Sequence, residues 1–126
     1  MADAQTRFRP EQAPNVAAVL QAPMDPITRH HYKNLASGNE VRENGKVHTV
    51  FTIQVEINGK PTLIPTIWDG KIIKDQREAT DRAIASGIQW PQRDTHEELR
   101  KFDKQIHKNM KDISAIEAQD ILDQKK

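Results

Sequence analysis

"INGKPTLIPTIWDGK", Ile57 to Lys71, is the stretch on which the fold turns. Two turn dipeptides, Asn58-Gly59 and Asp69-Gly70, bracket an apolar run that carries Pro61, Pro65 and Trp68. Both dipeptides suit tight hairpin turns, because Asn, Asp and Gly accept positive φ. Upstream, Val47, Thr49, Phe51, Ile53, Val55 and Ile57 alternate with His48, Thr52, Gln54 and Glu56. That period of two predicts one long half-buried strand over 47–57. The chain turns at Asn58-Gly59, "PTLIPTIW" returns as the second strand, and Asp69-Gly70 leads into a short "KIIK" strand.

Two registers are open to this hairpin. A two-residue turn sets Ile57 opposite Lys60 and puts Ile64 on the Phe51 face. A three-residue turn with a glycine bulge brings Leu63 and Ile67 onto that face instead, and is preferred because it matches more apolar side chains. Pro61 and Pro65 have no amide hydrogen, so the returning strand is expected to be an edge, or to have its bare side covered.

Helix signals surround the ribbon. Asp25-Pro26 pairs an N-cap residue with a proline at the first helical position; Ile27, His31 and Leu35 then share a face, and Gly38 stops the run. The spacing predicts a helix over 26–36, followed by a polar link, "SGNEVRENGK". Asp75 with Glu78 opens a helix over 76–86 that Gly87 ends, and Thr95 with Glu98 opens the longest helix. Leu99, Phe102, Ile106, Met110 and Ile113 form its apolar stripe, and Ser114 with Glu117 marks a restart.

The fold class that follows is α+β: a small antiparallel hairpin or three-stranded sheet packed on two or three helices, with an extended N-terminal arm. The expected divisions are an arm over 1–24, a helix and link over 25–44, an α+β module over 45–113 and a helical tail over 114–126. The expected core comprises Phe51, Ile53, Val55, Leu63, Ile67, Trp90, Leu99, Phe102, Ile106 and Met110. The arm holds Pro10, Pro14 and Pro23 and one cluster, "NVAAVLQ", in which Val16, Val19 and Leu20 would share a face too small to fold alone. A disordered leader is the alternative reading of this arm.

Composition narrows the function. Of 126 residues, 36% are hydrophobic and 5% aromatic, a lean supply that suits a chain completing its core against a partner. Nineteen basic and 18 acidic residues leave a net charge of +1, so no global field draws in nucleic acid or an anionic membrane. Cysteine is absent, which removes disulfide and thiolate chemistry. No run reaches the ~18 apolar residues of a membrane span, and the N-terminus lacks a signal-peptide core, so the expectation is a soluble protein made in the cytoplasm.

Reactive constellations are hard to find. His30 and His31 point about 100° apart on a helix, while His96 and His107 stand three turns apart, so no metal is expected. Ser37 and Ser86 sit at helix ends and Ser114 at a cap, none in a nucleophile elbow. Glu97 and Glu98 lie in a first helical turn, where the macrodipole alone favours carboxylates. The expectation is a non-enzyme without cofactors.

Binding surfaces are the better candidates. "QTRFRPEQ" sets Arg7 and Arg9 around Phe8, and Arg100, Lys104, Lys108 and Lys111 run along one face of the long helix, although Glu97, Asp103 and Asp112 interleave. Trp68 is a candidate partner anchor at the end of the returning strand, with a core role as its alternative.

Gly59-Lys60, Leu63 to Thr66, Asp69-Gly70, Ala79, Ala83, Ser86-Gly87, Trp90-Pro91, Asp94-Thr95, Glu97, His107 and Met110 fall in the order of a known pattern. Gly45 to Met110 resembles a small module recurrent in tailed-phage genomes, alone or embedded in large virion polypeptides, including those ejected with DNA. The likeness covers about half the chain and omits the arm and the first helix. It implies a virion packing module without catalytic residues, stationed at the head–tail junction, on the tail or among internal ejected proteins. The partners it implies are portal, adaptor or tail subunits and copies of the same chain, after synthesis in the host cytoplasm. The docking residues expected on this reading are Arg7, Phe8, Arg9, Val16, Val19, Leu20, Pro65 and Trp68. The alternative is a small DNA-associated accessory protein using the basic helix face and the arginine arm; a wall-degrading enzyme would need an acidic pair in a hydrolase context, which the chain lacks.

Overall fold

The computed structural model describes residues 20, 24–43, 45–110 and 113–124. Its described part is an α+β fold of four helices and three two-stranded antiparallel pairs. In chain order these are α1 (Pro26–Ser37), β1 (Val41–Glu43), β2 (Lys46–His48), β3 (Thr52–Ile57), β4 (Lys60–Pro65), β5 (Ile67–Trp68), β6 (Lys71–Ile72), α2 (Gln76–Ala85), α3 (His96–Asn109) and α4 (Ala115–Gln124).

The β3–β4 hairpin takes the register that the sequence reading ranked second. Ile57 pairs with Lys60 and Ile53 with Ile64, joined by Asn58 at φ 54° and Gly59 at φ 79°. Two consecutive positive φ values define the tight turn whose twist matches the strands, so no bulge is needed. The preference for a bulge assumed that only one face of the returning strand is buried. Leu63 and Ile64, on opposite faces, are both fully buried, because α1, α2 and α3 all pack against β4.

The prolines now have a physical place. Thr66 N–H donates to the Phe51 carbonyl at 2.7 Å, which sets the phase of the ladder. Lys60, Thr62 and Ile64 therefore direct their amides at β3, while Pro61, Leu63 and Pro65 face outward. Of those three, Leu63 alone has an N–H, and it donates to the Pro91 carbonyl at 2.9 Å. Arg93 N–H returns to the Pro61 carbonyl at 3.2 Å. The outer side of β4 is thus sealed by residues 91–93.

The long strand expected over 47–57 is broken. Residues 49 and 50 leave the ladder, the Phe51 carbonyl is its last bonded group, and β3 itself starts at Thr52. α1 is the cause: the Asn34 amide donates to the Thr49 carbonyl at 2.6 Å, and the His31 ring bonds the Thr49 hydroxyl. Val50 then fills the core and Phe51, expected inside, is 37% exposed and stacks on His48. The polar link also differs, since β1 and β2 pair antiparallel with Glu43 opposite Lys46.

Two apolar clusters hold the elements together. Ile27, Val55, Leu63, Ile64, Ala79, Ala83, Trp90, Leu99 and Ile106 form the first, with Ile53, Phe102 and Met110 packed against it half-buried. Tyr32, Ile113, Ala118, Ile121 and Leu122 form the second, between α1 and α4. The first helix and the C-terminal tail, expected as separate segments, therefore share a core. α4 starts at a full capping box: Glu117 N–H donates to Ser114 Oγ at 3.1 Å, and Ser114 N–H to Glu117 Oε1 at 3.1 Å.

Candidate functional site

The turn at Asp69-Gly70 gathers the aromatic side chains. Asp69 at φ 53° and Gly70 at φ 76° reverse the chain directly after Trp68. The Trp68 ring lies 4.5 Å from the His30 ring and 6.0 Å from Trp90, the two indoles at 89° to each other. Trp90 is buried and donates its indole N–H to the Ala83 carbonyl at 3.0 Å, so it fills space between the hairpin and α2. Arg82 sits 4.8 Å above Trp68 and bonds Asp69 at 2.9 Å. A cation–π contact at a half-exposed site contributes about 0.5–1 kcal/mol.

His30 is the titratable group inside this cage. Its Nε2 lies 2.6 Å from the Ile67 carbonyl. That carbonyl points away from β6, because Ile73 N–H takes the neighbouring Thr66 carbonyl instead. A ring nitrogen facing a carbonyl must carry the proton, so Nε2 donates. Burial pulls the His30 pKa below its ordinary value of 6.5, opposed by the bond to Ile67; Lys33 and Arg82 lower it further and Asp69 raises it. Both rings and carbonyls make this a packed joint, not an open site.

An open concavity lies beside the cage. A groove of about 580 Å³ runs between the tip of the hairpin and the C-terminal end of α2, lined by Ile57, Asn58, Ile84, Ile88, Gln89 and Gln92 among others. Ile84 is 56% exposed and Ile88 38% exposed, and Trp90 forms part of the wall. Isoleucine side chains interleaved with the amides of Asn58, Gln89 and Gln92 suit a peptide that offers both apolar and hydrogen-bonding groups.

A third cluster brings together a hydroxyl, a carboxylate and an imidazole. Thr52 Oγ1 lies 2.9 and 3.0 Å from the two oxygens of Asp103, and His107 Nε2 lies 3.0 Å from Asp103 Oδ1. Nucleophilic activation needs a hydroxyl that gives its proton to an imidazole oriented by a carboxylate on its other nitrogen. Here the hydroxyl donates to the carboxylate, the imidazole meets the same carboxylate through Nε2, and hydroxyl and Nε2 stand 3.5 Å apart, so the carboxylate does not orient the ring through its other nitrogen. The cluster pins α3 to β3, as His96 does farther along by bonding Gln54 at 2.9 Å. Among the described residues no group of three His, Asp or Glu side chains is placed to hold a metal ion.

The expected docking residues are scattered. Arg7, Phe8, Arg9, Val16 and Val19 lie outside the described residues. Leu20 packs half-buried against the α1–α4 core. Pro65 is fully buried, because both faces of β4 are covered, and so cannot offer a surface. Trp68 keeps a half-exposed ring. Of the basic face, Arg100, Lys104 and Lys108 are exposed on α3, and Lys111 lies outside the described residues. Sequence reasoning missed the groove and the Asn34 clamp. "AIASGI" held the signal for the groove, since Ile84 and Ile88 fall off the Ala79-Ala83 core face. No family model, no curated protein and no solved structure matches this chain.

Proposed function

We propose that the chain is a non-enzymatic structural component of a tailed-phage virion that works by docking against other subunits. The observation that carries this reading is the exposed pair Ile84 and Ile88 beside an open groove on an otherwise braced hairpin. Large apolar side chains left out of a lean core cost solubility unless another chain covers them. The likeness of Gly45–Met110 to phage virion modules gives the setting, and its motif residues Leu63, Ala79, Ala83 and Trp90 are those that build the frame behind the groove. Mass spectrometry of purified particles, scaled to the portal, tests the reading. The wild-type chain is expected in stoichiometric amounts. Ile84→Asp is expected to be depleted about tenfold while its unfolding free energy stays within roughly 0.5 kcal/mol of wild type. A chain absent from particles overturns the proposal.

A second reading has one observation in its favour. Arg100, Lys101, Lys104 and Lys108 are all exposed on the outward side of α3, and none has an ion-pair partner among the described residues. Such a stripe suits a polyanion. Retention on duplex DNA that falls steeply between low and moderate salt would support this reading, and retention indifferent to salt removes it.

A further inference from the structure

The open edge of the ribbon is β3, not the proline-bearing β4. In the ladder the odd residues of β3 bond β4, so Thr52, Gln54 and Glu56 turn their N–H and C=O groups outward. None of these backbone groups has a partner among the described residues. The strand also lacks the usual protections of an edge. "TIQVEI" has no proline, no lysine and no bulge, and Glu56 is its one charge. By contrast, β4 is sealed by two prolines and by residues 91–93.

We propose that β3 is a self-association edge: two copies of this chain pair β3 to β3, antiparallel about a two-fold axis through Gln54. This register sets Gln54 opposite Gln54 and Thr52 opposite Glu56 of the second copy, so all three outward residues meet outward residues within β3. Centring the axis on Ile53 or Val55 engages only two of them. The side chains agree with this choice. Glu56 meets Thr52 and never its own like charge. On the other face Ile53 meets Val55, and the exposed Phe51 meets Ile57 of the second copy, which covers an aromatic ring that the single chain leaves 37% exposed. α3 contacts both strands of its hairpin, so the axes of its two copies stand about two strand spacings apart, roughly 10 Å, the distance at which helices pack.

The inference stands on strand geometry alone and survives if the chain proves not to be a virion component, because its test uses the pure protein. The chain has no cysteine, so Gln54→Cys introduces a single thiol. Facing residues in a hydrogen-bonded pair have Cα atoms about 5.5 Å apart, within disulfide reach. The two copies of residue 56 would lie about 13 Å apart, beyond it. Under oxidation Gln54→Cys is expected to cross-link to a dimer and Glu56→Cys to remain single. Sedimentation should show a wild-type dimer. Gln54→Pro, which removes an outward amide that the hairpin does not use, should raise the dissociation constant about thirtyfold. Should Gln54→Pro fail to fold, Gln54→Lys, which sets two cations face to face, is expected to weaken association about fivefold. A wild-type chain that stays monomeric overturns the inference. So does equal cross-linking of both cysteine variants, or a monomeric Gln54→Cys whose edge is filled by residues 1–19.

Discussion

Replacing Asn34 tests how α1 is held on the sheet. Asn34 is buried, and its amide donates to the Thr49 carbonyl at 2.6 Å and, weakly, to the Ile67 carbonyl at 3.4 Å. Leucine fills nearly the same volume and donates nothing. In Asn34→Leu the Thr49 carbonyl loses its partner inside the fold, while Ile67 keeps His30. An orphaned buried carbonyl costs about 1–3 kcal/mol, so we expect a loss of about 2 kcal/mol. With an urea m-value of about 2 kcal/mol/M, the midpoint should fall by about 1 M at unchanged m. Asn34→Asp sharpens the test. At neutral pH it points a carboxylate at two carbonyls, so it should be less stable than the leucine variant, and acid should narrow the gap because a protonated acid can donate to Thr49. Urea melts at several pH values measure both. The reasoning fails if the leucine variant lies within roughly 0.5 kcal/mol of wild type, or if the aspartate variant matches it at every pH.

Three further outcomes follow from the same packing. Since burial holds the folded pKa of His30 below 6.5, the unfolded chain binds the proton more readily; the contribution is whole above 6.5 and is lost as pH falls from there toward the folded value. His30→Gln, which can still donate to Ile67, should flatten that part of the urea midpoint–pH curve. Trp90→Phe removes one of the two donors to the Ala83 carbonyl, Ser86 Oγ at 2.6 Å being the other, and should cost about 1 kcal/mol by thermal melting. Ser114→Ala removes the hydroxyl that accepts from Glu117 N–H and donates to Glu117 Oε1, leaves the bond from the residue 114 amide in place, and should cost about 1 kcal/mol, with hydrogen exchange faster in 115–118 than in α3.

The helices were legible in the sequence because their signals are local. Asp25-Pro26, Asp75, Thr95 and Ser114 with Glu117 each name a start, and the structure places a helix after every one. The Asn58-Gly59 and Asp69-Gly70 turns were equally plain. The strand pattern misled in two places. Alternation ran unbroken through Thr49 and Phe51, yet Asn34 and His31 captured Thr49 from a helix 15 and 18 residues away. Counting apolar matches favoured a bulge, because nothing local says that a hairpin is buried on both faces. The groove went unread for a similar reason: Ile84 and Ile88 lie outside the stripe of α2, and only the approach of the hairpin tip turns them into a wall.

What the sequence determined by itself was the set of elements, their caps and their turns, along with the lack of thiol chemistry, because these depend on neighbours a few residues apart. Tertiary structure decided which strand edge is closed. Two prolines without amides left β4 either an edge or a strand with its bare side covered, and 91–93 covered it by taking up Leu63 N–H and the Pro61 carbonyl, while the outward groups of β3 have no partner among the described residues. A strand edge is open or shut according to what arrives from elsewhere in the chain, and that depends on packing between distant segments.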